Sequence, residues 1–549
     1  SIAVRDGRIA YVGDRAGAEA LAGRRTTRID LGGRMLMPGL IDGHMHPQEA
    51  GIRLLECSLD YSPLTDAALR ARLQRCLDAD TKAGDDEWLV AINWFEQGAL
   101  PAGNVVTHEA LDSLHTRRPI YMHNTYGHAS LVNARGLALA GITRDTPQPK
   151  DGVIKLDAAG NPNGILEDAA QELVQKFLPT PTSAQQLAAT KEALGAMAHQ
   201  GITSFLDAAT DTATLDAYTE VQKTGGMTAR GHFAVLIDSG PGFDPASAVE
   251  DVLHQRAKYD QGELRPAPSI RVDTAKLFLD GVYSEPEYTG ILLAPYFTDH
   301  GTPGHPDWRP GTNRGPAFYF PPDQLAETLR RLAAAGINPH MHADGDGAVH
   351  EGLDAVEAMR RTHPALDVRA AIAHDELVDP IDYTRYAELG VQPVLSFQWE
   401  KPAPDINMED SHYIGPVRLA LAEPAGFLKL HGARVGYGSD WPVDPLDLWF
   451  ALQVAVTRRA TGDFAKDHPG RLGIDPGLTV TEGLRALTID AAWGLRQDTL
   501  TGSLEPGKFA DLIVLDQDVF QVPADRIGAT KVLLTMVGGR IVLKEPALH

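Results

Sequence analysis

Apolar and polar positions alternate between two periods along much of the chain. Residues 183–199 carry apolar side chains at helical spacing, and short apolar runs lie at 202–206, 232–237, 274–279, 337–342, 370–374, 391–397 and 434–438. Runs of that length between helical stretches predict a parallel sheet built from βα units. Adding 35–46 as a strand at the front makes eight units, which favours an α/β (β/α)8 barrel of the TIM type over a doubly wound sheet. No Gly-x-Gly-x-x-Gly follows the first strand, which weakens the dinucleotide-binding alternative.

The two ends read differently. Residues 1–4 and 9–12 flank Asp6-Gly7 as the arms of a hairpin, and strand texture returns at 511–515, 531–536 and 540–544. Isolated hairpins are marginal in water. Residues 1–37 and 500–549 are therefore expected to form one small β-sandwich domain, with two unrelated hairpins as the alternative. The barrel then takes 38–60 and 181–499. Residues 61–180 break its rhythm and are expected as a large insertion after the first barrel strand, with strands at 88–93 and 120–123 and a Gly/Pro-rich loop at 146–164. A second insertion, 283–320, is rich in Gly, Pro and aromatics and has the length of a functional lid.

Composition narrows the partners. With 73 acidic against 50 basic residues the 549-residue chain carries a net charge of −23, which repels phosphate backbones and excludes a nucleic-acid role. No run approaches the ~18 apolar residues of a membrane helix, so no membrane association is expected. Two cysteines, Cys57 and Cys76, predict no disulfide framework and a cytoplasmic setting. Ser1 already lies in a strand-like run, so a processed signal upstream stays open.

The chemistry gathers at strand ends. His44 and His46 sit two apart and so share a face of their strand, a natural pair of metal ligands, or else two structural histidines. Lys276 stands inside the apolar run Ala275–Leu279, His342 and His374 end their strands, and Asp440 follows the last one. His342 and His374 are 32 residues apart, one βα unit, and His374 and Asp440 are 66 apart, two units. In such barrels the C-terminal strand ends hold the active site. His340 competes with His342, being on the same face.

The order His-x-His, strand-four Lys, His, His, Asp resembles the amidohydrolase superfamily, and within it the YtcJ-like subgroup that includes N-substituted formamide deformylases. The resemblance spans nearly the whole chain. It rests on Met37-Pro38-Gly39-Leu40-Ile41-Asp42-Gly43-His44-Met45-His46, Gly127-His128-Ala129-Ser130-Leu131-Val132-Asn133, Lys276-Leu277-Phe278-Leu279-Asp280-Gly281, His342-Ala343-Asp344-Gly345-Asp346, Gly438-Ser439-Asp440-Trp441-Pro442 and Gly502-Ser503-Leu504-Glu505-Pro506-Gly507-Lys508-Phe509-Ala510-Asp511.

That resemblance implies a metal-dependent amidohydrolase with a binuclear centre. His44 and His46 would bind the more buried cation, His342 and His374 the second, and a carboxylated Lys276 would bridge them. Asp440 would touch the first cation and act as the acid/base. Two Zn2+ per chain suit imidazole and carboxylate ligands, with Fe, Mn, Ni or Co as alternatives. The sequence departs from the family in its sixth strand, which reads Ala373-His374-Asp375 where a Glu-His pair is more usual, and at Asp344, which replaces a commonly apolar residue. His128 would be a pocket residue. An ammonium in an apolar strand is driven towards the neutral amine that takes up CO2, although Asp280 or Asp440 neutralising an unmodified Lys276 is the alternative.

Trp94, Phe95, Tyr283, Phe297, Trp399 and Trp441 would wall an apolar pocket for a small amide-like substrate, or simply pack; Asp85-Asp86-Glu87 reads as a solvated face. The expected reaction is hydrolysis of a C–N bond by metal-activated hydroxide with Asp440 moving the proton. A deaminase or ester hydrolase of the same superfamily, or a metal-binding regulatory protein without turnover, are the alternatives. An acidic barrel of this kind is expected to pair as a homodimer.

Overall fold

The computed structural model describes every residue except 97, 102, 126, 128, 150–151, 241, 285–287, 303–304, 404–405, 407–411, 463 and 549, and leaves out the side chain of 168. Eight parallel strands form one sheet: β1 (Leu40–Met45), β2 (Ile202–Thr210), β3 (Arg230–Ile237), β4 (Ile270–Phe278), β5 (Asn338–Ala343), β6 (Ala371–His374), β7 (Gln392–Leu395) and β8 (Gly436–Tyr437). They lie in sequence order, as expected of a (β/α)8 barrel.

The two ends of this sheet meet. The Asp440 amide donates to the His44 carbonyl at 2.9 Å, and a Cβ at Gly438 would lie 2.4 Å from that of His44. Glycine is thus required where the last strand closes on the first. The connecting helices start where capping chemistry places them. Asp211 caps Thr212–Lys223 through the Thr214 amide, and Asp244 caps Pro245–Tyr259 through the Ser247 amide with Pro245 in the first turn.

The run 35–46, expected as one strand, is two. Leu36–Pro38 joins Leu512–Leu515, Val532–Val537 and Arg540–Lys544 in a four-stranded antiparallel sheet, and only Leu40–Met45 enters the barrel. The break falls at Gly39, where a Cβ would lie 2.2 Å from the Thr203 side chain on the neighbouring strand. The hairpin of Ile2–Arg5 and Arg8–Val12 forms its own two-stranded sheet, held to the C-terminal segment by the Ile9 amide on the Lys508 carbonyl at 2.9 Å. Both chain ends thus contribute to a small β assembly beside the barrel. The run 391–397 is also shorter than expected, turning into a 3-10 helix at Phe397–Trp399.

The chain falls into two compact units. The first comprises Ser1–His46, Leu194–Asp440 and Leu446–His549; the second comprises Pro47–Ala193 and Trp441–Pro445. The second has a mixed six-stranded sheet in the order Cys57–Ser58, Leu89–Trp94, Ile120–Asn124, Ala129–Val132, Pro162–Asp168 and Gly152–Leu156. Helix Asp66–Ala79, capped by Thr65, buries Leu69 and Leu73 in a core with Leu59, Leu111 and Ile120. Where no disulfide framework was expected, the second unit holds a single disulfide. Cys57 and Cys76 are bonded to each other, because the first strand and this helix bring their Cα atoms to 5.8 Å. Sparing use of cysteine is no argument for a reducing compartment once the two residues present are paired. Among the described residues no helix is long and apolar enough to cross a membrane.

Candidate metal centre

All six metal-competent residues singled out in the sequence converge within the first unit. His44 lies in β1, Lys276 in β4, His342 in β5 and His374 at the end of β6; His46 and Asp440 follow β1 and β8. Asp440 Oδ1 is 3.2 Å from His44 Nε2 and 3.1 Å from His46 Nε2. Lys276 Nζ is 3.5 Å from His44 Nε2. The His44 and His374 ring centroids are 4.7 Å apart, and those of His374 and His342 are 4.5 Å apart. The ligand atoms of His44, His374 and Asp440 all lie within 4.8 Å of one another, as do those of His342, Asp344 and His374.

The backbone beneath these side chains is unusual. Asp440 at φ 52° and His374 at φ 80° take the left-handed conformation that side chains other than glycine seldom adopt. Such conformations cost about 1–3 kcal/mol each and collect at functional sites. Asp42 ties the two strand ends together, its Oδ1 accepting the amides of His44 at 3.2 Å and Ser439 at 3.0 Å. Asp280 organises the other side by accepting the amides of Asp344, Gly345 and Ile291 at 2.9–3.0 Å. Its Oδ1 also lies 3.7 Å from His342 Nε2.

Burial sets the protonation states. It drives His44 and His374 well below the ordinary histidine range and His342 down to about 3, with the Lys276 charge adding to the effect at His44 and His342. The rings are thus neutral and present lone pairs. Burial also lowers Lys276 to about 8, against the pull of Asp440 and Asp344. At Asp440 burial pushes the pKa up, but the hydrogen bond with His46 and the electrostatic influence of the neighbouring His374, His46 and Lys276 outweigh it and hold the carboxyl below its usual range. Asp344 goes the other way, raised well above that range by burial and then by Glu376, Asp280, Asp440 and Glu423.

Of the aromatic residues, Trp399 stacks on His374 with centroids 5.8 Å apart and planes at 19°. Tyr283 is buried in a packing cluster with Leu292, Tyr296 and Tyr413. Phe297 forms a short two-stranded ribbon with Pro310. Trp94, Phe95 and Trp441 are buried residues of the second unit. His128 lies outside the described residues.

Two residues at the centre carry more than their place in the sequence suggests. His340 puts Nε2 2.7 Å from His44 Nδ1. Asp344 joins His342 and His374, and the signal for it was the spacing that marks His44 and His46: two residues beyond His342, it projects to the same face.

Known proteins share this architecture. Residues 27–543 match the amidohydrolase family. The protein named amidohydrolase YtcJ of Bacillus subtilis is 27% identical over 541 residues, 95% of this chain and 91% of its own. An N-substituted formamide deformylase of Arthrobacter pascens is 25% identical over 551 residues, 98% of this chain and 94% of its own. Crystal structures of uncharacterised metal-dependent hydrolases from Pyrococcus horikoshii and Pyrococcus furiosus superpose with TM-scores of 0.70 and 0.68, at 21% and 22% identity. The first pairing covers 95% of this chain and 94% of the other, the second 94% and 95%. A match over almost the entire length, on a barrel with this convergence of histidines, lysine and aspartate, places the chain in the amidohydrolase family.

Proposed function

We propose that the chain hydrolyses the C–N bond of a small amide-like molecule, with a formamide bearing an apolar N-substituent as the leading substrate, at a centre of two divalent cations. The observation that carries this reading is Asp440: one buried carboxylate oxygen faces the Nε2 atoms of both His44 and His46. The donor set fits metal ions. Neutral imidazoles, a lysine pushed towards its amine and an ionised carboxylate are the forms that ligate.

His44, His46 and Asp440 would hold one cation, and His342 and His374 the other. Lys276 Nζ, as its free amine, would add to CO2 with loss of a proton to give a carbamate between them. Zinc is the first choice, with Fe, Mn, Ni or Co as alternatives. Bound cations supply Lewis acidity, polarising the substrate carbonyl and lowering the pKa of water towards ~7.

Asp440 does the proton work. Ionised at neutral pH, it takes a proton from the attacking water through the oxygen not shared by the two imidazoles, and passes it to the departing nitrogen. An amide anion is a poor leaving group, so the step depends on that delivery. Trp399, stacked on His374, offers an aromatic wall to the substrate beside the reacting centre. The deformylase of Arthrobacter pascens supports the choice of a formamide.

The test is elemental analysis of protein prepared with bicarbonate and without chelators, followed by assays of formate and amine release from a panel of N-substituted formamides. Metal uptake with release from at least one amide, abolished in Asp440→Asn, is the expected result. Metal uptake with no release across the panel would refute the amide reading.

A further inference from the structure

We propose that Asp344 is itself a metal ligand, completing with His342 and His374 a cation site that carries its own carboxylate. The inference rests on the metal-centre reading above and adds a residue to it.

The geometry starts from β5. His342 and Asp344 are two apart at the end of this strand, and His342 Nε2 stands 3.6 Å from Asp344 Oδ1. That is too long for a hydrogen bond. It is close to the separation of two ligands on one ion, since atoms each ~2.0–2.1 Å from a tetrahedral zinc lie roughly 3.3 Å apart. His374 comes from the next strand, its ring 4.5 Å from that of His342, and the ligand atoms of all three residues fall within 4.8 Å of one another.

The second observation is the state of the carboxylate. Asp344 is 3% exposed, and among the described residues its Oδ1 has no hydrogen-bond partner. A buried carboxylate oxygen without a partner is costly, and a ligated cation removes that cost. The group is also held in place. The Asp344 amide donates to Asp280 Oδ1 at 3.0 Å, and Asp280 is itself fixed by the Ile291 and Gly345 amides. His342 Nε2 stands 3.1 Å from the Gly281 carbonyl, a contact it would exchange for the cation.

The probe is Zn2+ alone, added to the full chain after removal of metals, with ions per chain read by elemental analysis and affinities by competition with a chromophoric chelator. Wild type should take up about two ions and Asp344→Asn about one, with Asp344→Glu recovering part of the loss. Circular dichroism reports whether each variant folds. Crystals of the wild-type chain soaked in zinc give a readout independent of any variant: an anomalous peak within ~2.2 Å of an Asp344 oxygen is expected. Two ions at unchanged affinity in a folded Asp344→Asn, or a zinc peak on His342 and His374 more than ~3 Å from Asp344, would overturn the assignment while leaving the metal centre standing. A wild-type chain that binds no zinc by either method would remove the metal-centre reading, and this one with it.

Discussion

His340 and His44 are bonded ring to ring: Nε2 of the first lies 2.7 Å from Nδ1 of the second, with both side chains buried. For His44 to offer a lone pair at Nε2, towards Lys276 and Asp440, its proton must sit on Nδ1 and be donated to His340. Partners of this kind orient a ligating imidazole and fix its tautomer.

His340→Ala should therefore weaken metal binding by about 10–100-fold without removing any ligand. His340→Gln, which keeps an acceptor near Nδ1, should recover part of that. Chelator competition on the two variants measures it. Equal affinities for wild type and His340→Ala would show that His340 merely fills space.

Lys276 makes the stability of the metal-free protein depend on pH. Its folded-state pKa of about 8 lies below the ordinary 10.5, so between these values the unfolded chain holds the extra proton and stability rises with pH. Below that window the buried ammonium costs about 3 kcal/mol. Lys276→Met should accordingly stabilise the chelator-treated protein by up to about that amount at pH 7, with the advantage shrinking towards pH 10. Urea unfolding in CO2-free buffer at the two pH values gives the comparison. An advantage of the same size at both would mean that shape, not charge, accounts for it.

The readable part of this protein is its strand-end chemistry. His44 and His46 share a face by alternation alone, and an ionisable Lys276 in an apolar run draws notice wherever it stands. The same spacing reaches Asp344 from His342. The bond between His340 and His44 is of another kind, because it joins residues 296 positions apart across the barrel interior. The break at Gly39 is set by Thr203 on another strand, and the Cys57–Cys76 bond by a helix packing on a two-residue strand. Such features are fixed by tertiary neighbours, so no local pattern announces them.

That disulfide spans a sequence separation of 19 residues within the second unit. A closed loop of this size stabilises by about 3 kcal/mol, chiefly by restricting the unfolded chain. Cys57→Ala/Cys76→Ala should lower the denaturant midpoint of the second unit by a corresponding amount, as should a reducing agent applied to wild type. Fluorescence-detected unfolding with and without reductant tests both. A midpoint indifferent to reductant and substitution alike would mean that the two thiols are not joined in solution.

Arg230, the first residue of β3, makes a fully buried ion pair with Asp511, which leads into Leu512–Leu515 of the four-stranded sheet. The arginine also donates Nε to the Arg265 carbonyl at 3.1 Å and lies over the Phe509 ring, and Asp511 accepts the Gly538 amide at 2.7 Å. Removing one member leaves an uncompensated buried charge, which typically costs 3–5 kcal/mol, whereas replacing both by apolar groups of similar volume is often nearly neutral. Arg230→Met should thus destabilise the chain strongly, and Arg230→Met/Asp511→Leu less than Arg230→Met alone. Thermal or urea unfolding of the two variants settles the order. If the double variant is the less stable, the pair contributes net attraction beyond its desolvation cost, and the barrel and the terminal sheet are held together electrostatically rather than by packing.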